Sequence, residues 1–203
     1  MQKCVVNGEM FNTEVLTCGI PQGTILGPLL FLLYINDLPN CLKFSDTQMY
    51  ADDTSLTMAS ASVQEIEDNM NIDLENISEW LKANRLSLNT TKTEFLVLSS
   101  RQRSAQLSYP TLQIGGKSIP RISSAKTLGV HIDETLSWTR HIEQKSKQIS
   151  SCIGALKRVR PYVPMASLQT MYNSFVQPKF DYCSTVWDAY GLGSELARKI
   201  QKL

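Results

Sequence analysis

Between Ser62 and Asn84 the apolar residues Val63, Ile66, Met70, Leu74, Ile77 and Leu81 recur at spacings of three and four. That period lays them along one stripe of an α-helix, and a stripe of such length has to be covered by other parts of the chain. The opposite side is read as a solvent face carrying Glu65, Glu67, Asp68, Asp73, Glu75 and Glu79. Any fold open to this chain is built around that amphipathic helix.

What flanks the helix is rich in strand and turn signals. Residues 2 to 18 read as a hairpin, because Asn7-Gly8 supplies the positive φ angles of a tight two-residue turn between apolar flanks. The segment GIPQGTILG, residues 19 to 27, holds too much Gly and Pro for regular structure and is a loop. A helix is expected from Pro28 to about Leu42, with Gly27 at the cap, Pro28 at the first helical position and Pro39 ending its regular part. Its apolar stretch, Ile25 to Ile35, falls well short of the roughly 20 residues that span a bilayer, so it reads as a core helix. No membrane partner is expected.

DTQMYADDTSLTMA, residues 46 to 59, reads as a second hairpin with Asp52-Asp53 at its tip. Beyond the long helix, strand-like runs are expected at Thr93 to Leu98, at Leu112 to Ile119 with a turn at Gly115-Gly116, and at Thr127 to Ile132. From about Ser137 the chain reads as mostly helical, with breaks at Pro161, Pro164 and Pro178. The fold class is therefore α+β: antiparallel strands with packed helices, then a helical region. At 203 residues and 42% hydrophobic composition, the length favours one domain or two small, closely packed ones.

The net charge of +1 hides a division. Residues 1 to 100 hold 5 Lys/Arg and 13 Asp/Glu, whereas residues 101 to 203 hold 15 and 6, so the halves carry net −8 and net +9. A basic half suggests a polyanionic partner, and two solvated surfaces that attract each other is the alternative. The N-terminus lacks the apolar core of a secretory signal, and the five cysteines are odd in number with no CxxC pair. A reduced intracellular setting with buried free thiols follows, nuclear or cytoplasmic. His131 and His141 have no cysteine near them, so a zinc site is improbable and both are read as ordinary polar residues, on a strand edge and a helix.

Two adjacent carboxylates at a hairpin tip repel each other unless a cation lies beside them. A divalent metal relieves the repulsion, and hard oxygen donors of this kind suit Mg²⁺, which is commonly held by one or two carboxylates plus substrate phosphates. That is the arrangement in-line phosphoryl displacement uses. An Asp-Asp pair alone is weak evidence, since most such pairs are solvated turn residues.

The context is more specific. GIPQGTILGP at 19 to 28, YADD at 50 to 53, LSLNTTKTEF at 86 to 95 and TLGVHID at 127 to 133, in that order and spacing, resemble the reverse transcriptase family. With FLLYINDLP at 31 to 39 and LSWTRHI at 136 to 142, the pattern is similar to the non-LTR (LINE-type) retrotransposon branch over essentially the whole chain.

The resemblance implies a partial polymerase palm over residues 1 to 133 and a helical thumb-like region over 134 to 203. It implies an RNA template, a DNA primer and deoxynucleoside triphosphates as partners, and two Mg²⁺ ions as cofactor. On that pattern Asp52, with Asp53 beside it, is the metal-binding aspartate, and Tyr50 and Ala51 lie near the primer terminus. Pro21, Gln22 and Gly23 shape the nucleotide and template pocket. Lys92 orients the triphosphate or protonates the leaving pyrophosphate, because an ammonium stabilises a developing oxyanion; an ordinary solvated lysine is the alternative. Leu128, Gly129 and Val130 match the turn that grips the primer, with a core strand bearing a bulge glycine as the bland reading.

In the thumb-like region, Arg140, Lys145, Lys147, Lys157, Arg158 and Arg160 are the expected phosphate contacts. Tyr162, Tyr172, Trp187 and Tyr190 are candidates for base stacking, although aromatic residues at helical spacing are more often core.

The family's first aspartate motif has no counterpart in residues 1 to 18. The chain alone is therefore expected to be inactive, as a fragment of a polymerase too short to be complete. Two other readings stay open: a non-catalytic module that holds RNA or RNA–DNA hybrid, and an inert retrotransposon remnant.

Overall fold

The computed structural model describes residues 5–6, 9–10, 19, 23–104 and 108–187. Its elements run β1 (Val5–Val6), β2 (Glu9–Met10), α1 (Gly27–Ile35), a 3-10 turn (Leu38–Cys41), β3 (Asp46–Tyr50), β4 (Asp53–Thr57), α2 (Val63–Ala83) and α3 (Arg101–Ser104). They continue with β5 (Gln113–Ile114), β6 (Lys117–Ser118), β7 (Ser124–Thr127), β8 (Val130–Asp133), α4 (Thr139–Val159), a second 3-10 turn (Arg160–Tyr162), α5 (Met165–Phe175), α6 (Gln177–Asp181) and α7 (Ser184–Trp187). The α+β class holds, with the described strands paired as antiparallel two-stranded hairpins. Contacts group into two units, Met1–Leu88 with Pro110–Ser118 and Asn89–Tyr109 with Ile119–Leu203.

The first unit forms around α2, whose limits match the expected helix. Ser62 has extended backbone and its Oγ accepts the Glu65 N–H, an N-cap with a glutamate at the third helical position. The helix ends in a Schellman turn, in which the Leu86 N–H bonds the Leu81 carbonyl and the Arg85 N–H bonds that of Lys82. Met70, Leu74 and Ile77 are buried, as are Ile35, Leu38, Leu112 and Ile114 of the same unit. Two side chains one turn apart fix the segment that crosses α2: the Asn71 amide bonds Thr111 and Gln113, and the Glu67 carboxylate accepts the Thr111 N–H at 2.8 Å. The turn at Gly115-Gly116 is as expected, both glycines having positive φ.

Four expectations are corrected. Asp73 is not on a solvent face: it has no exposed surface, because its position falls between Met70 and Ile77 on the apolar stripe. Its carboxylate accepts the N–H groups of Lys43, Phe44 and Ser45 and the Ser45 hydroxyl, at 2.7 to 3.0 Å. The helix α1 starts where expected but is not a core helix. Its leucines point in every direction, so burial of Ile35 leaves Leu29, Leu30, Leu32 and Leu33 exposed.

Thr93 to Leu98 is not a regular strand. It makes an isolated bridge, Phe95 to Arg121, and the chain just beyond it bonds through the Ser99 N–H to the Glu134 carbonyl. Thr127 to Ile132 is not one strand either, because Leu128 and Gly129 take φ of 46° and 83° and turn the chain between β7 and β8.

In the second unit Ile142, Ile149 and Val176 form a buried cluster, with Trp138, Cys152, Ile153, Leu156, Phe180 and Trp187 packed against it. The prolines interrupt the helical part as expected: Pro161 lies in the second 3-10 turn, Pro164 caps α5 and Pro178 opens α6. No helix among the described residues is long and apolar enough to cross a membrane. Cys41, Cys152 and Cys183 are free thiols and half-buried.

Candidate functional site

In the first unit, β3 and β4 pair from Asp46↔Thr57 to Tyr50↔Asp53, which leaves Ala51 and Asp52 as a two-residue turn. Thr47, Met49 and Leu56 are half-buried on the inner face, while Gln48, Tyr50 and Asp53 are exposed on the other. Ala51 has φ of 53°, a left-handed conformation that costs an L-residue roughly 1–2 kcal/mol. Strain of this sort persists where the surrounding structure holds it and marks candidate functional turns.

Asp52 and Asp53 are both exposed, and among the described residues neither carboxylate takes a hydrogen bond or an ion pair. Their oxygens are therefore free for a ligand. Two carboxylates completed by substrate phosphates are a usual donor set for a hard divalent ion, so the pair fits one. Among the described residues no group of three potential metal ligands exists, which limits what these two hold unaided.

Gly23 has φ of 89° with open space where a Cβ would stand. Pro21 and Gln22 lie outside the described residues.

The other expected residues lie in the second unit. Lys92 is exposed on a turn organised by Asn89, whose carbonyl accepts the Lys92 N–H and the Thr93 hydroxyl. The hairpin turn Leu128-Gly129 is held by Tyr182, whose hydroxyl donates to the Leu128 carbonyl at 2.6 Å. The Tyr182 ring is 3.5 Å from where a Gly129 Cβ would stand, and the Lys145 ammonium sits 5.1 Å from the ring centroid. Val130 is buried, so only the turn itself is presented outward.

Arg140, Lys147, Lys157, Arg158 and Arg160 are exposed, whereas Lys145 is half-buried. Helical periodicity aligns Arg140, Lys147 and Arg158 along one side of α4. Burial and the charges of Lys179 and Lys126 lower the Lys145 pKa. Tyr162 and Tyr172 are exposed, Trp187 packs against the core, and Tyr190 lies outside the described residues.

Two side chains were missed as structural determinants. Asp133 organises the loop into α4: its carboxylate accepts N–H and hydroxyl bonds from Thr135 and Ser137 at 2.8 to 3.1 Å. Burial opposes its ionisation, but those bonds outweigh burial and hold the pKa below the usual carboxylate range.

His141 is fully buried rather than an ordinary polar residue. Its Nδ1 accepts the His131 N–H at 3.2 Å, tying α4 to β8, and its ring centroid is 5.6 Å from that of Trp187. Burial, with Lys145 and His131 adding to it, pushes its pKa down to about 4. No sequence signal marked His141, whose partner comes from another element, whereas the spacing of Asp133, Thr135 and Ser137 is a local turn signal that went unread.

The chain belongs to the reverse transcriptase (RNA-dependent DNA polymerase) family, whose profile matches residues 2–159. Its relatives come from the non-LTR branch to which the motif order points. The probable RNA-directed DNA polymerase from transposon X-element of Drosophila melanogaster is 25% identical over 176 residues, 83% of this chain and 19% of that protein. The putative 115 kDa protein in type-1 retrotransposable element R1DM, also of Drosophila melanogaster, is 26% identical over 192 residues, 92% of this chain and 18% of that protein. The RNA-directed DNA polymerase from mobile element jockey of the same species is 25% identical over 144 residues, 68% of this chain and 15% of that protein. The chain thus spans about a fifth of the length of the first two of these relatives. No solved structure matches it.

Proposed function

We propose that this chain is the later palm and the thumb portion of an RNA-directed DNA polymerase of a non-LTR retrotransposon. Residues 1 to 133 form the palm portion and residues 134 to 203 the thumb-like region, with the Asp133 loop at the junction. The observation that carries the reading is the two-residue turn of β3 and β4, which leaves Asp52 and Asp53 exposed and unpartnered among the described residues.

In this reading Asp52 and Asp53 hold Mg²⁺ jointly with the phosphates of a deoxynucleoside triphosphate. When bound, the ions polarise the attacking hydroxyl and neutralise charge on the leaving pyrophosphate. The chain's own residues position the partners. Gly23 leaves room for close approach of the nucleotide, Pro21 and Gln22 belong to the same pocket, and Tyr50 and Ala51 abut the primer terminus. The Leu128-Gly129 turn bears on the primer strand, and Lys92 presents an ammonium to the triphosphate. Along α4, Arg140, Lys147 and Arg158, together with Lys157 and Arg160 beyond that row, contact the backbone of a template–primer hybrid without reading its sequence.

With Asp52 and Asp53 as its two carboxylates in this reading, the chain alone is expected to give no primer extension. Mg²⁺-dependent binding of a deoxynucleoside triphosphate by the purified chain, weakened by Asp52→Asn, is the expected result, together with hybrid binding that falls steeply with salt. Three outcomes contradict the reading: no triphosphate binding that depends on Mg²⁺, no hybrid binding at low salt, or primer extension by the chain alone that Asp52→Asn abolishes.

A further inference from the structure

The β3–β4 hairpin is fastened to α2 at both of its ends. On the exit side, the Ser60 hydroxyl donates to the Glu65 carboxylate and its oxygen accepts the Ser62 N–H at 3.2 Å, which ties the chain leaving β4 to the first turn of the helix. On the entry side, the Asp73 carboxylate gathers the three residues that precede β3. Its Oδ1 accepts the Lys43 N–H, and its Oδ2 accepts the N–H groups of Phe44 and Ser45 and the Ser45 hydroxyl, at 2.7 to 3.0 Å. Glu65 and Asp73 stand about 12 Å apart along the helix axis, so the two fixings set a direction as well as a place.

The tip of the hairpin is sensitive to that direction. From Asp46 to Tyr50 the strand carries the turn about 17 Å beyond its fixing. A tilt of about 10° at the base displaces the tip by about 3 Å, more than the roughly 1 Å of misplacement that already slows a reaction. The Ser60–Glu65 pair is exposed and water competes for it, whereas Asp73 has no exposed surface, so the buried fixing is the stiffer of the two. An apolar residue would cover this part of the stripe without the desolvation cost of a carboxylate. What the acid adds is orientation, because consecutive N–H groups meet its two oxygens in one arrangement of the chain.

We propose that Asp73 is a positioning residue for the hairpin that bears Asp52 and Asp53, setting where its tip stands relative to Gly23 in the same unit. The inference rests on the polymerase reading given above and deepens it. Asp73 touches neither metal nor nucleotide. A metal ion on two acids of one turn needs only that turn, whereas a triphosphate that spans the turn and the Gly23 pocket needs the two at a fixed separation. Loss of Asp73 therefore separates two kinds of binding that loss of folding would remove together.

The full chain is titrated with Mn²⁺ alone, followed through the amide signals from Tyr50 to Thr54, and with deoxyadenosine triphosphate in Mg²⁺, followed by calorimetry. Both titrations are repeated with three variants. Asp73→Asn keeps the size but turns an amide NH₂ toward N–H groups, and Ser45→Ala removes one hydroxyl bond to the acid. Asn71→Ala is the control, losing the bonds to Thr111 and Gln113 from the same helix without touching the hairpin.

Triphosphate affinity is expected to fall about tenfold in Asp73→Asn, about two- to threefold in Ser45→Ala and less than about twofold in Asn71→Ala, with Mn²⁺ still bound at the turn in all three. Unchanged triphosphate affinity in Asp73→Asn overturns the positioning role, as does an equal fall in Asn71→Ala or a parallel loss of Mn²⁺ from the turn. If Asp73→Asn does not fold, Ser45→Ala decides by the same criteria. A wild-type chain that binds no triphosphate in Mg²⁺ overturns the polymerase reading itself, and the positioning role falls with it.

Discussion

His141 is a titratable group with no exposed surface, and its low pKa makes the fold acid-sensitive in a definite window. In the unfolded chain it takes up a proton near pH 6.5, and in the folded chain only near pH 4. Between those values the unfolded state binds more protons, so stability is full above pH 6.5 and falls as the pH drops toward 4. The loss amounts to at most roughly 3 kcal/mol. Urea unfolding at several pH values checks this, and His141→Leu is expected to flatten the slope across that window.

Asp73 titrates lower. Burial opposes its charge, but the Ser45 hydroxyl and the N–H groups of Lys43, Ser45 and Phe44 overcome it and lower the pKa, so its contribution is lost only as pH falls through the acid range. Asp73→Ala leaves four part-buried donors without that acceptor and is expected to cost about 3 kcal/mol at neutral pH, read from the urea midpoint. The exposed position of Asp52 and Asp53 at a hairpin turn could be read from sequence because a turn is a local structure. Asp73 and His141 could not, since an acid or imidazole on an amphipathic helix becomes buried only through partners far along the chain.

Among the elements, turns with glycine at both central positions announced themselves, as at Gly115-Gly116. The β7–β8 turn did not, because Leu128 takes a left-handed conformation that leucine seldom adopts, and the run from Thr127 to Ile132 therefore looked like one strand. Leu128→Asn suits that conformation and forfeits little burial, since Leu128 is 47% exposed. It is expected to raise stability by about 0.5–1 kcal/mol in thermal unfolding, with no change in the β7–β8 register. Arg85, at φ of 54° in the Schellman turn of α2, has the same remedy. Arg85→Gly is expected to gain about 0.5–1 kcal/mol, and a loss would mean that the arginine side chain has a role of its own. The long helices α2 and α4 were the readiest to locate, as their apolar stripes repeat over many turns, whereas α1, apolar on every side, gave no sign of which face is buried.

For the molecule as a whole, the charge division bears on the proposed nucleic-acid reading, in which a polyanion is drawn to the basic half. The acidic half presents its carboxylates on α2 and at the β3–β4 tip, and the basic half presents its cations along α4. Hybrid binding should therefore weaken linearly in a logarithmic plot against salt, and Lys147→Gln should reduce the slope by about one phosphate contact. An unchanged slope would place the nucleic acid elsewhere.

Whether the tandem acids of the hairpin turn hold a divalent cation decides the rest, and paramagnetic Mn²⁺ in place of Mg²⁺ tests it directly. Titrated into the full chain under NMR observation, Mn²⁺ should broaden amide signals from Tyr50 to Thr54 first, and substituting both Asp52→Asn and Asp53→Asn should abolish that effect. Broadening centred instead on the acidic side of α2, around Glu75 and Glu79, or broadening at the turn that survives both substitutions, would contradict the account.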